Sequence, residues 1–137
     1  MVGYDLDGVI AVEWGWLSRV DRIGYLLFGH WWGYIRYPWI CVMYQPKGPF
    51  VIITSRHVKL RRLTERWLTR KGIWPSMVEF YNGNVFTPEA FARYKAEAIE
   101  RLGLVSYYEN DIVVAGILKN MLPNVQIILV RRKSWTQ

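Results

Sequence analysis

The sequence predicts an α/β protein in which helices cover both faces of a mostly parallel sheet, with residues 1–137 forming a single domain. Three observations carry that prediction. From residue 50 onward, short apolar runs rich in Val and Ile alternate with segments whose apolar residues recur at helical spacing. The helical segments carry start and stop signals that agree with their periodicity. Residues able to do chemistry gather where the apolar runs end, and in open α/β sheets ligands bind beyond the carboxyl ends of the strands.

The chain opens on "VGYDLDGV", an apolar run followed by Asp5, Asp7 and Gly8. An extended segment would place Asp5 and Asp7 on one face. Like charges that close are costly unless a cation or a shared proton offsets them. A surface turn also accommodates Asp-Leu-Asp-Gly without any chemistry, so the motif alone decides nothing.

Residues 12–49 break the alternation and read as an insert holding Trp14, Trp16, Trp31, Trp32, Trp39, Tyr25, Tyr34, Tyr37, Tyr44 and Phe28. It leaves the carboxyl end of the first strand, so it is expected over or beside the site. Aromatics there serve a lid that stacks on a planar ligand, a satellite core, or a contact between copies, and composition does not choose among them. Its segment 23–44 has spanning length, but His30, Arg36, Pro38 and several glycines interrupt it, so a membrane span is not expected.

"FVIIT" (50–54) reads as a buried parallel strand ending at Thr54. From His57 to Lys71, Leu60, Leu63, Trp67 and Leu68 recur at helical spacing, and Gly72 stops the helix. "MVEFY" (77–81) is a strand. Thr87-Pro88 supplies an N-cap and a first-turn proline for a helix that ends at Gly103. "VSYYE" (105–109) is a strand, 111–122 a helix and "VQIILV" (125–130) the last strand.

In this arrangement Asp5 and Asp7, Thr54, and the trio Glu109, Asn110 and Asp111 all fall at carboxyl ends on one edge. Scattered turn acids have no reason to align in this way. Phe91, Lys95, Ala98 and Leu102 share one apolar stripe of their helix, so Lys95 requires an anion or a route to water for its head group. The acids expected at neighbouring strand ends favour the anion. Asp111 suits the N-cap of its helix, which by itself explains its presence.

With these four motifs in order, the sequence resembles the haloacid dehalogenase-like (HAD) phosphohydrolase superfamily. The resemblance covers nearly all of the chain outside 12–49. It implies a three-layer α/β/α Rossmann-like fold with residues 12–49 as a short aromatic cap. It also implies Mg²⁺-dependent phosphomonoester hydrolysis through an aspartyl-phosphate. Asp5 would be the nucleophile and Asp7 the general acid and base. Thr54, with backbone amides near Ser55 and Gly8, would bind phosphoryl oxygens, and Lys95 would offset developing charge. Mg²⁺ would be held by Asp5, Asp7, Glu109 and Asp111, with Asn110 standing where the family often has an acid. "TSRHVKLRRLTERWL" adds a narrower likeness to the phosphatase domain of polynucleotide kinase–phosphatases, which places Arg56 at the rim gripping phosphate. That likeness implies nucleic-acid 3′-phosphate ends as substrate; nucleotides or another phosphorylated small molecule fit the residues almost as well.

Charge and composition narrow the alternatives. The 18 Lys and Arg against 11 acids give +7, which suits anionic partners and says nothing about fold. Cys41 stands alone, which excludes an internal disulfide and fits a reducing compartment, so a cytoplasmic location is expected. His30 and His57 have no partner at metal-ligand spacing, and there is no phosphate-cradling Gly-x-x-x-x-Gly-Lys loop or Gly-x-Ser-x-Gly elbow. The competing class is a binding or membrane-surface module on the same fold, with the aromatic insert as its contact.

Overall fold

The computed structural model describes residues 1–13, 15–29, 31, 32 and 40–131, with backbone alone at 12, 13, 15–19, 21 and 22. Of the aromatic insert, Trp14, Tyr34, Tyr37 and Trp39 lie outside the described residues, as do His30 and the basic residues Arg132 and Lys133.

Five strands form one parallel sheet: β1 (Val2–Tyr4), β4 (Phe50–His57), β5 (Met77–Tyr81), β6 (Ser106–Glu109) and β7 (Gln126–Leu129), in the order β5-β4-β1-β6-β7. Strand alternation gives each face its own core. Val51, Ile53, Tyr107 and Ile127 point to one face, where α3 (Pro88–Arg101) and α4 (Ile112–Met121) cover them with Ala92, Ala96, Ile99, Val114 and Leu118. Tyr4, Phe50 and Ile52 point to the other, where α2 (Arg61–Arg70) supplies Trp67 and Leu68. The sheet is therefore sandwiched, as the alternation of apolar runs and helical segments implies.

The helix ends follow their sequence signals. Thr87 accepts from Ala90 N at 3.2 Å and Pro88 stands in the first turn of α3. The Asp111 carboxylate accepts from Val113 N at 2.9 Å and Val114 N at 3.1 Å, capping α4.

Three boundaries differ from those expected. β1 stops at Tyr4 and the chain turns at once, with the amides of Val9, Ile10 and Ala11 donating to the Leu6 carbonyl. Asp5 and Asp7 thus do not share an extended face. β4 runs past Thr54 to His57, with a register shift against β5, because backbone pairing continues through polar residues that an apolar pattern cannot reveal. The helix expected from His57 begins only at Arg61, after a short 3₁₀ turn, Val58–Leu60.

Within the insert, β2 (Ala11–Glu13) and β3 (Ile40–Val42) pair antiparallel, and α1 (Gly15–Phe28) follows β2. This small sheet is tied to the body: Trp67 Nε1 donates to the Ile40 carbonyl at 3.2 Å, and Gln45 Nε2 to the Gly72 carbonyl at 3.1 Å. No helix among the described residues is long and apolar enough to cross a membrane.

Candidate active site

The carboxyl edge of the sheet brings together two polar clusters. The first is sealed. Asp5, directly after β1, is buried, and its Oδ1 accepts from Leu6 N at 2.9 Å. Lys95 reaches it from α3, placing Nζ 3.2 Å from Asp5 Oδ1 and 2.6 Å from Glu109 Oε2. Lys95 and Glu109 are each only 1% exposed, so neither charge is satisfied by bulk water. Glu109, at the end of β6, uses its other oxygen to accept from Asn110 N at 3.0 Å and Asp111 N at 3.1 Å. Beneath the cluster, the Tyr107 ring lies 5.8 Å from Lys95 Nζ, and its hydroxyl donates to the Ile53 carbonyl at 2.7 Å. The buried stripe of α3 thus gives its lysine anions rather than a path to solvent.

The second cluster is half open. Arg56, near the end of β4, donates from Nε to Asp7 Oδ2 at 2.9 Å and from Nη2 to Asp7 Oδ1 at 2.6 Å, a fork on the carboxylate. Its Nη1 donates to Thr64 Oγ1 at 3.1 Å, which fixes the guanidinium against α2. The Asp7 side chain is 47% exposed, so screening by water reduces what this pair contributes to stability. Thr54 is fully buried between the clusters, and its Oγ1 accepts from Arg56 N at 3.1 Å. Ser55 is half-buried in β4.

Gly8 adopts φ +82°, and a Cβ there would overlap the Asn110 side-chain amide. Only glycine allows the Asp5–Gly8 turn to close against the end of β6. Gly8 therefore has a conformational task, and Asn110 belongs to the site's wall.

Electrostatics separate the two aspartates. Burial, above all, pushes the Asp5 carboxyl well above the usual range; Lys95 opposes that rise, while Glu109 and Asp7 add to it. For Lys95, burial pulls downward, but the charges of Asp5 and Glu109 outweigh it and hold the ammonium above its ordinary value. Burial likewise opposes the charge of Arg56, and Asp7 more than offsets it.

Asp5, Asp7 and Glu109 bring carboxylate oxygens to this edge, each also engaged by Lys95 or Arg56. Carboxylate oxygens are the donors that a hard cation takes. Among the described residues, no three acidic, histidine or cysteine side chains converge to cage an ion alone. Magnesium does not require such a cage, since it is commonly held by one or two carboxylates together with water and phosphate.

The structure brings Asp5, Asp7, Thr54, Arg56, Lys95 and Glu109 to one edge. Asp111 is at that edge too, but its carboxylate is engaged with the backbone of α4. The sequence did not reveal that Thr64 steadies Arg56, although it stands one turn before the buried Trp67. Nor did it reveal the pairing of Lys95 with Glu109, which depends on how far β6 extends.

No family model matches the chain, and no curated protein matches it. Among solved structures it is similar to a chain in the Pnkp1/Rnl/Hen1 RNA repair complex, with TM-score 0.62 and 13% identity over 98% of this chain and 43% of that one. A second structure of a Pnkp1/Rnl/Hen1 complex gives TM-score 0.62 and 15% identity over 98% of this chain and 46% of that one. The likeness is one of fold. The chain spans less than half the length of the solved chains it matches.

Proposed function

We propose that this chain is a Mg²⁺-dependent phosphomonoester hydrolase of the haloacid dehalogenase-like type, acting on nucleic-acid 3′-phosphate ends or nucleotides. One observation carries the reading. Two aspartates, a lysine, a threonine and an arginine meet at the carboxyl edge of a parallel sheet, with Asp5 sealed against Lys95 and Asp7 left half open. The likeness in fold to a chain of an RNA repair complex supports the nucleic-acid end, as does the +7 charge.

In this mechanism Asp5 attacks phosphorus while the bond from phosphorus to the leaving alcohol breaks. Asp7 donates its proton to that departing oxygen. Water, deprotonated by Asp7, then attacks the aspartyl-phosphate, releasing inorganic phosphate and regenerating Asp5. Arg56 shifts its fork from Asp7 to the phosphate oxygens, which frees Asp7 to carry a proton. Thr54 holds another phosphoryl oxygen, and Lys95 keeps Asp5 in place against its burial. Mg²⁺ would be held by the Asp5 carboxylate and the Asp7 backbone carbonyl, with Asn110, Glu109 or Asp111 nearby. When bound, it supplies positive charge for the phosphate and the attacking carboxylate.

The test is phosphate release from p-nitrophenyl phosphate, a nucleoside monophosphate series and a 3′-phosphorylated oligonucleotide, with Mg²⁺ and with EDTA. The proposal expects release that stops on chelation and returns with added Mg²⁺. A folded protein that releases nothing from any of these substrates would overturn it.

One observation favours a second reading, in which the fold serves as a binding or membrane-surface module. On and beside α1, Ile23, Leu26, Leu27, Phe28 and Trp31 are all exposed. Co-sedimentation with anionic liposomes that disappears in Leu26→Glu/Leu27→Glu, without any phosphatase activity, is the result expected of that module.

A further inference from the structure

Beside the candidate site stands an aromatic group that the proposed chemistry does not use. Phe86 lies in the loop between β5 and α3, packed edge-on against Tyr81 at 5.9 Å and Phe91 at 6.4 Å between centroids, yet it is 64% exposed. A single exposed phenylalanine is ordinary on a protein surface. This one is fixed and placed.

The loop is held at both ends. The Tyr81 hydroxyl donates to the Val85 carbonyl, and a Cβ at Gly83 would overlap that same hydroxyl. Thr87 is tied into the first turn of α3. Phe86 thus presents its ring from an anchored segment, and little freedom remains to be lost when something packs on it.

Its loop leaves the carboxyl end of β5, which pairs with β4, so it stands on the same edge of the sheet as Thr54 and Arg56. The His57 ring, 6.2 Å from the Phe86 ring, belongs to the residue directly after Arg56, and its Nδ1 accepts from Lys59 N at 3.2 Å. Phe91 stands one helical turn before Lys95, which carries the contact to Asp5. Between His57 and Thr64 the chain carries Lys59, Arg61 and Arg62 and no acid, and Arg61 pairs with Glu65 at 3.7 Å.

We infer that Phe86 is a specificity-determining residue: its exposed ring, flanked by His57, is the platform on which the base of the terminal nucleotide stacks while the phosphate is held at Asp5. This deepens, and rests on, the hydrolase reading. A planar base covers the open face of Phe86 and gains affinity whatever its sequence, because every base has a π-face. An alcohol without a ring gains nothing there. The platform therefore selects nucleotides from other phosphate monoesters through KM.

The experiment compares kcat/KM for thymidine 3′-monophosphate and for glycerol 2-phosphate in the wild type, Phe86→Ala and Phe86→Trp. The preference for the nucleotide is expected to fall about tenfold in Phe86→Ala, chiefly through KM, and to be retained in Phe86→Trp. The same fall with a 3′-phosphorylated oligonucleotide extends the platform to polymer ends. A ratio that does not move in Phe86→Ala overturns the inference, as does a wild type that cleaves both esters with no preference; either result leaves the hydrolase reading standing. If the wild type cleaves neither ester, nor p-nitrophenyl phosphate, nor the 3′-phosphorylated oligonucleotide, the hydrolase reading fails by itself. Equilibrium binding then decides: thymidine 3′-monophosphate that binds no tighter than inorganic phosphate overturns the platform.

Discussion

Asp5 and Asp7 are two residues apart in sequence and occupy opposite environments. Asp5 is sealed among Lys95, Glu109 and the backbone of Leu6, whereas nearly half of the Asp7 side chain meets solvent and its carboxylate rests in the fork of Arg56. The contrast suits chemically identical groups to the different work that the proposed mechanism gives them. A nucleophile benefits from a fixed position and an excluded solvent, while a group that must gain and lose a proton needs access to water and a partner that can let go. The turn at Leu6 produces the difference, since a continued strand would have pointed both carboxylates the same way.

The largest expected effect comes from Asp5→Asn. It keeps shape and hydrogen-bonding capacity but removes the nucleophile, and Mg²⁺-dependent phosphate release should drop by at least about 10³-fold. Asp7→Asn should lose about 10²–10⁴-fold, with the greatest loss on substrates whose leaving alcohols are poorest. An equal loss for p-nitrophenyl phosphate and an alkyl phosphate would contradict the role of Asp7 as the acid.

Next comes Lys95→Met, which strands the buried Asp5 and Glu109 carboxylates. Urea unfolding should register a destabilisation of about 3–5 kcal/mol. The sign of its pH dependence follows from the raised ammonium. Its contribution is complete below the ordinary value of 10.5 and is lost only as pH climbs past the higher, folded-state value. The stability gap between wild type and Lys95→Met should therefore be nearly the same at about pH 8 and about pH 10. A gap that closes between those two values would show that Asp5 and Glu109 do not hold the lysine charged.

Smaller effects test the open side. Thr64→Val keeps the volume but leaves Arg56 Nη1 without its acceptor. A stability loss of about 1–3 kcal/mol is expected, together with a higher KM and little change in kcat. Gly8→Ala should cost about 1–3 kcal/mol from its positive φ, plus whatever movement Asn110 makes to clear the new methyl group.

Much of this architecture was legible in the sequence. Parallel strands bury both faces, so "FVIIT" and "VQIILV" announce themselves as apolar runs, and Thr87-Pro88 and Asp111 mark helix starts through hydrogen bonds that the structure contains. Lys95 stood out because a charge on an apolar stripe requires an explanation. Less legible was anything set by backbone pairing alone. The extension of β4 through Ser55-Arg56-His57 carries no apolar signal, yet it brings Arg56 to Asp7 and His57 to Phe86. The partition of Asp5 and Asp7 was hidden as well, because it depends on a turn whose key contact, Gly8 against Asn110, joins residues about a hundred positions apart. The insert stands out by composition, but composition specifies no contacts, and bonds such as those from Trp67 to Ile40 and from Met43 to Ile10 tie it to the body.

The central claim is that Asp5 becomes covalently phosphorylated. The most direct measurement is an acid quench during turnover of a 3′-³²P-labelled oligonucleotide with Mg²⁺, followed by hydroxylamine treatment and peptide mapping. Label on the peptide containing Asp5, released by hydroxylamine and absent in Asp5→Asn, is the predicted result. Steady phosphate release by the wild type with no label on Asp5, or undiminished release by Asp5→Asn, would contradict it.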